Sequence, residues 1–89
     1  MFIITQKNKE ENGAYAVLNQ NDDKVLYIFQ EEDDAVRYAM MLEDSIGEMS
    51  VLEIEDEVII KTCMVKNYKF TIITPNDIVI PPNTEHDFI

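Results

Sequence analysis

The sequence predicts an α+β domain: a mostly antiparallel sheet in the order β-β-β-α-β-α-β with two helices on one face, a ferredoxin-like arrangement. Three observations lead there. Short β-prone runs are punctuated by Asn/Asp-rich stretches, Gly or Pro. The apolar spacing turns helical after Phe29 and again after Asp56. With 89 residues, the chain has room for one core and not two.

The first strand is Phe2-Ile3-Ile4-Thr5, and the polar stretch Gln6 to Asn12, ending at Gly13, reads as a loop. Ala14 to Leu18 and Lys24 to Phe29 flank Asn19-Gln20-Asn21-Asp22-Asp23, whose side chains bond their own backbone and tolerate left-handed turns, so a hairpin follows. Val25 to Phe29 is apolar at every position, as suits a strand covered on both faces. Ala35, Ala39, Leu42 and Ile46 then recur at helical spacing, with Val36 and Met40 broadening the stripe. The carboxylates of Glu31 to Asp34 are expected to cap the helix start, and Gly47 to stop it.

Ser50 to Glu55 alternates Leu52 and Ile54 with Glu53 and Glu55, a strand with one wet face. Asp56 opens a second helix with Ile59 and Cys63 on its inner side, and Asn67 is suited to a left-handed cap. Tyr68 to Thr74 forms the next strand, which Pro75 ends. Ile78 to Ile80 precedes Pro81-Pro82 and is expected to dock as an edge strand or an extended strap. Residues 1–82 are thus taken as the domain and 83–89 as a mobile acidic tail.

Composition narrows the function classes. Apolar residues make up 46% of the chain and charged residues 28%, the balance of a folding sequence. A net charge of −11 opposes approach to nucleic acid and to anionic lipid, so neither is an expected partner. Its distribution is uneven: residues 31–57 hold eleven carboxylates and one base, Arg37, whereas 58–74 hold Lys61, Lys66 and Lys69 and no acid. A polarised molecule follows, its acidic side fit to steer toward a basic protein surface. No apolar run approaches the ~20 residues that span a bilayer. The single Cys63 and the absence of a leader-like N-terminus point to a reducing, cytoplasmic setting.

Chemistry-bearing patterns are sparse. The acidic run at 31–34 lacks the spaced loop that wraps calcium, and two isolated glycines cannot form a phosphate loop. Cys63 lies on a core stripe far in sequence from the lone His86, so a structural thiol is expected rather than a nucleophile. Met40, Met41, Met49 and Met64 read as core packing. Neither a cofactor nor a metal is called for, and no enzyme is expected. Candidate partner contacts are Arg37 and Tyr38, residue types favoured at interface hot spots, and the tail residues Glu85, Asp87, Phe88 and Ile89, which could pack back on the domain or dock in a partner's groove. Arg37 has an alternative in a pair with Asp33 or Asp34 on its own helix.

The stretch Phe29-Gln30-Glu31-Glu32-Asp33-Asp34-Ala35-Val36-Arg37-Tyr38-Ala39-Met40-Met41-Leu42-Glu43 resembles a family of short cyanobacterial and plastid proteins, domain of unknown function 3110. Cys63 in the second helix, Tyr68 opening the last strand and Ile80-Pro81-Pro82 continue the likeness, which departs at Asn67, where the family favours Gly, and at Phe88, where it favours Trp. The resemblance implies a cytoplasmic or thylakoid-associated setting in a photosynthetic cell, and carries no functional residues with it. The expectation is a non-enzymatic protein-interaction or regulatory module, with a dimeric small-ligand sensor as the alternative. Self-association through a free sheet edge is open to a domain this small.

Overall fold

The computed structural model describes residues 1–82 and 86–89. Strands β1 (Phe2–Gln6), β2 (Tyr15–Leu18) and β3 (Lys24–Phe29) precede helix α1 (Glu32–Ile46), then β4 (Met49–Glu53), helix α2 (Asp56–Val65), β5 (Lys69–Ile73) and β6 (His86–Phe88), with a 3₁₀ turn at Glu10–Asn12. The strands form one sheet in which β3 is central. It pairs antiparallel with β2 along its first half, meets β1 at Phe29, and runs parallel to β5 from Val25 to Phe29. On the far side of β1 lies β4, and on the far side of β2 lies β6, both antiparallel. The mostly antiparallel α+β class therefore stands.

Local chemistry explains the elements. In the β2–β3 hairpin, Asn19 Oδ1 accepts from the N–H groups of Asn21 and Asp23 at 2.8 and 3.0 Å, and Asp22 takes φ 63. Helix α1 starts on Glu31 without a side-chain cap bond, so its acidic first turn acts through the helix dipole rather than by the capping expected. Gly47 ends it at φ 93, and Asn67 follows α2 at φ 57, both as expected.

The placement of the helices differs from expectation. Alternate residues of each strand feed two separate cores. Ile4, Tyr15, Phe29 and Ile73 pack with Ala35, Tyr38, Ala39 and Leu42 of α1, while Ile3, Ala14, Leu26 and Ile28 pack with Ile59 and Cys63 of α2. The helices thus cover opposite faces, not one. Connectivity supplies the reason. Strands β3, β4 and β5 all run the same way; α1 carries the chain outward across β1 to β4, and α2 brings it back to the other side of β3. Two crossovers of the same hand that travel in opposite directions must lie on opposite faces.

Two further expectations are corrected. His86–Phe88 form the sixth strand, so this part of the tail is docked, while residues 83–85 lie outside the described residues. Val36 and Met40 face solvent, and Tyr38 takes their place in the α1 stripe. Ile78 to Ile80 form no strand; they lie as a strap in which Val79 packs on the α1-side core and Ile78 and Ile80 point outward.

Candidate functional site

Asp34, Arg37, Tyr38 and Met41 recur at i, i+3, i+4 and i+7, which places them along one side of α1. They face the chain leaving the sheet after β5. There Pro75 turns the backbone away, and Asp77 Oδ2 pins the turn by accepting from Thr74 N–H at 2.8 Å and Thr74 Oγ1 at 3.1 Å. Between the helix and this strap lies a groove of about 280 Å³, open to solvent. Its rim carries Ile78, 93% exposed, and Ile80, 76% exposed. The groove sits beyond the C-terminal end of β5 and beside the first turns of α1.

The groove's charges are unequally satisfied. Arg37 Nη2 donates to Asp34 Oδ1 at 3.1 Å, the intrahelical pair that its spacing allowed. The arginine side chain remains 67% exposed while that of Asp34 is only 13% exposed. Asp34 Oδ2 is shut from water and has no hydrogen-bond partner among the described residues. A buried carboxylate oxygen without a donor is rare in folded proteins, because desolvating it without compensation is costly.

Beneath the groove, Tyr38 is 1% exposed and belongs to the core, which corrects its assignment as a surface contact. Its ring lies 5.5 Å from that of Tyr15 and 5.4 Å from that of Phe29. The two tyrosine hydroxyls are 3.1 Å apart, and Tyr15 Oη is 2.8 Å from His86 Nδ1. This chain of polar groups ties α1, β2 and β6 together. Burial pushes the Tyr15 hydroxyl up to about 12, outweighing the opposite effect of its bond to Tyr38. Burial likewise raises Tyr38, reinforced by the bond to Tyr15, and raises Tyr27.

The remaining candidates separate. Asp87 lies 3.7 Å from Lys24 Nζ, which also donates to Phe88 carbonyl oxygen at 2.9 Å. Phe88 is half-buried on the α1 side and Ile89 on the α2 side. Glu85 lies outside the described residues. Cys63 is buried among the α2-side core, where desolvation raises its thiol, and His86 belongs to the opposite face, so the two do not meet. Of the methionines weighed as core packing, Met49 is buried, but Met40, Met41 and Met64 are exposed. Among the described residues no three metal-ligating side chains converge, and no helix is long and apolar enough to cross a membrane.

Residues 1–83 match the family model described as Domain of unknown function (DUF3110). The chain belongs to that family. No curated protein and no solved structure matches it. The matched span contains every residue lining the groove of this DUF3110 member and ends before β6. Sequence reasoning found Arg37 but missed the groove around it, because Ile78 and Ile80 gave no sign of which way each would face. It also missed the Tyr15–Tyr38–His86 chain. The alternation of His86 and Phe88 was the signal for β6, masked by acidic neighbours.

Proposed function

We propose that the domain is a non-enzymatic interaction module that receives an apolar segment bearing a basic group in the groove between α1 and the 74–80 strap. The observation that carries this reading is Asp34 Oδ2, an acceptor withheld from water beside a rim of exposed isoleucines. An incoming ammonium or guanidinium would satisfy it, and Ile78 and Ile80 would bury against the aliphatic part of the same partner. The carboxylates at the start of α1 and along it, Glu31 to Asp34, Glu43 and Asp44, would steer a basic surface toward this side. The proposed setting is the cytoplasm of a photosynthetic cell, which rests on the family resemblance alone.

The test compares wild type with the Ile78→Asp, Ile80→Asp double variant and with Asp34→Asn, each tagged at the N-terminus and used to capture proteins from a native lysate. Both isoleucines are exposed, so the double variant should melt within a degree or two of wild type. It should lose a partner that wild type retains, and Asp34→Asn should weaken the same partner and flatten its salt dependence. Equal capture by all three chains would reject the groove.

A second reading, a dimeric small-ligand sensor, is favoured by an apolar pocket of about 280 Å³ between α2 and the sheet, lined by Ile3, Leu26, Cys63 and Tyr68 with Lys66 near them. That is slightly below the ~300 Å³ at which small-molecule sites begin, so it ranks second. A ligand-induced rise in melting temperature would bring it forward.

A further inference from the structure

Several strands of the sheet keep one edge open. Among the described residues β5 pairs only with β3, β4 only with β1 and β6 only with β2. An open edge presents backbone donors and acceptors to any strand that can align with them. On β5 that set is sharply bounded. The carbonyl of Ile73 accepts from Gln30 N–H at 2.9 Å, so Ile73 turns its polar groups toward β3. Successive residues of a strand alternate, so Lys69 and Thr71 do the same, whereas Phe70 and Ile72 turn N–H and C=O outward. The outward groups on either side are already engaged. Tyr68 N–H donates to the Cys63 carbonyl at 2.8 Å, Thr74 N–H donates to Asp77 Oδ2 at 2.8 Å, and the Thr74 carbonyl accepts from Asp77 N–H at 3.0 Å.

We infer that this edge is the interface of an isologous homodimer, in which two β5 strands pair antiparallel about a two-fold axis at Thr71 and join two copies into one continuous sheet. The bounded edge selects this register. With Phe70 opposite Ile72 of the other copy, every outward donor meets an outward acceptor. Centred on Phe70, the pairing would set Ile72 against Tyr68, whose N–H is committed to Cys63; centred on Ile72, it would set Phe70 against Thr74, which is committed to Asp77. The side chains agree with the backbone. Phe70 packs on the α2 side and Ile72, 37% exposed, shares that face by alternation, so each aromatic ring lies opposite a β-branched neighbour. Thr71, exposed on the other face, meets its own copy in a close pair without backbone bonds, where two hydroxyls can bond each other.

Charge selects β5 among the open edges. At −11 per chain, two copies repel wherever carboxylates line the seam. Residues 58–74 contain no acid, whereas β4 ends on Glu53 with Glu48 before it and Glu55 after it, and the short β6 carries Asp87. The one charge on β5 itself is Lys69, whose ammonium is held by Asp23 of its own chain. At physiological ionic strength, screening over about 8 Å mutes the acids farther off. A five-residue strand makes a short seam, so the buried area falls below the ~1,600 Å² of standard interfaces and the dimer is expected to be weak. This edge is separate from the groove proposed for the basic partner and does not depend on that reading.

Sedimentation equilibrium of the full chain at physiological salt, over a wide concentration range, tests this. Wild type should show a reversible monomer–dimer equilibrium. Thr71→Lys should weaken it by roughly tenfold or more, because like charges then meet on the axis. Its melting temperature should stay near that of wild type, since the position is exposed. Thr71→Cys, mildly oxidised, should trap the dimer as a disulfide, because directly opposed residues of an antiparallel pair bring their Cβ atoms to about 4.5–5.5 Å. Val58→Cys, exposed on α2, should not be trapped, and the native Cys63 is buried. A wild-type chain that stays monomeric at its solubility limit would overturn the inference, as would association that Thr71→Lys leaves intact. A dimer that forms without trapping Thr71→Cys would show that the copies do not pair through this edge.

Discussion

At the scale of single residues, Tyr15 Oη and Gly13 hold more structure than their neighbours. Tyr15 Oη is the only link between Tyr38 Oη and His86 Nδ1 among the bonds described, so its removal strands two polar groups, whereas removal of the Tyr38 hydroxyl strands none because Tyr15 Oη keeps its bond to His86. Tyr15→Phe should therefore cost about 2–3 kcal/mol in urea denaturation, and Tyr38→Phe about 1 kcal/mol. The reverse order would show that the chain is not what holds the strand. Gly13 and Gly47 have nearly the same backbone, φ 99 with ψ −171 and φ 93 with ψ −173, a region essentially reserved for glycine. They differ in surroundings. A Cβ on Gly47 would meet nothing, whereas one on Gly13 would collide with the carbonyl of Ile89, whose N–H and C=O bond Ala14 at 2.8 and 3.0 Å. Gly47→Ala should cost roughly 1–3 kcal/mol from conformation alone. Gly13→Ala should exceed it in the same denaturation assay and release β6.

At the scale of elements, β6 is the piece whose importance the sequence hides. It pairs with β2 through Tyr15, Ala16 and Val17, and Phe88 covers the Tyr15 ring at 6.1 Å. Deleting residues 83–89 should lower the melting temperature by on the order of 10 °C, since a loss of about 2 kcal/mol moves a domain this small by that much. It should also expose the β2 edge and promote aggregation at high concentration. An unchanged melting curve would make β6 dispensable. The other elements were readable because their signals are local. Gly47 and Asn67 stop helices through their own backbones, and Asn19 builds its turn from its own side chain. The facing of α2 was not readable, because Ile59 and Cys63 show which side of the helix is apolar but not which side of the sheet it seeks. That choice is made by strand order, when β5 docks against β3 rather than beyond β4. The groove shares this difficulty: Arg37 is visible as a lone base, but its surroundings depend on how Val79 turns the strap inward.

At the scale of the whole molecule, the tyrosines set the pH at which the fold fails. Tyr15, Tyr27 and Tyr38 pack between α1 and the sheet, with ring centroids 5.5 to 6.1 Å apart, and burial raises all three hydroxyls, Tyr15 to about 12. In the unfolded chain each ionises near 10. Below that pH both states hold the proton and the stabilisation is complete; above it the unfolded chain gives up protons that the folded one retains, and stability falls as pH rises from about 10 toward 12. Two effects act in the same direction there, because lysines lose their charge and each new tyrosinate deepens a net charge already at −11. The hydrogen bond from Lys69 lowers Asp23, but that side chain is 44% exposed and its contribution is correspondingly screened. Stability should therefore decline more steeply on the alkaline side. In a titration of a Tyr68→Phe variant followed by ultraviolet absorbance and circular dichroism together, tyrosinate from the three clustered residues should appear late and cooperatively, in step with the loss of helical signal. If the three tyrosines ionise near 10 with the helices intact, the cluster is wetter than its packing indicates and does not fasten α1 to the sheet.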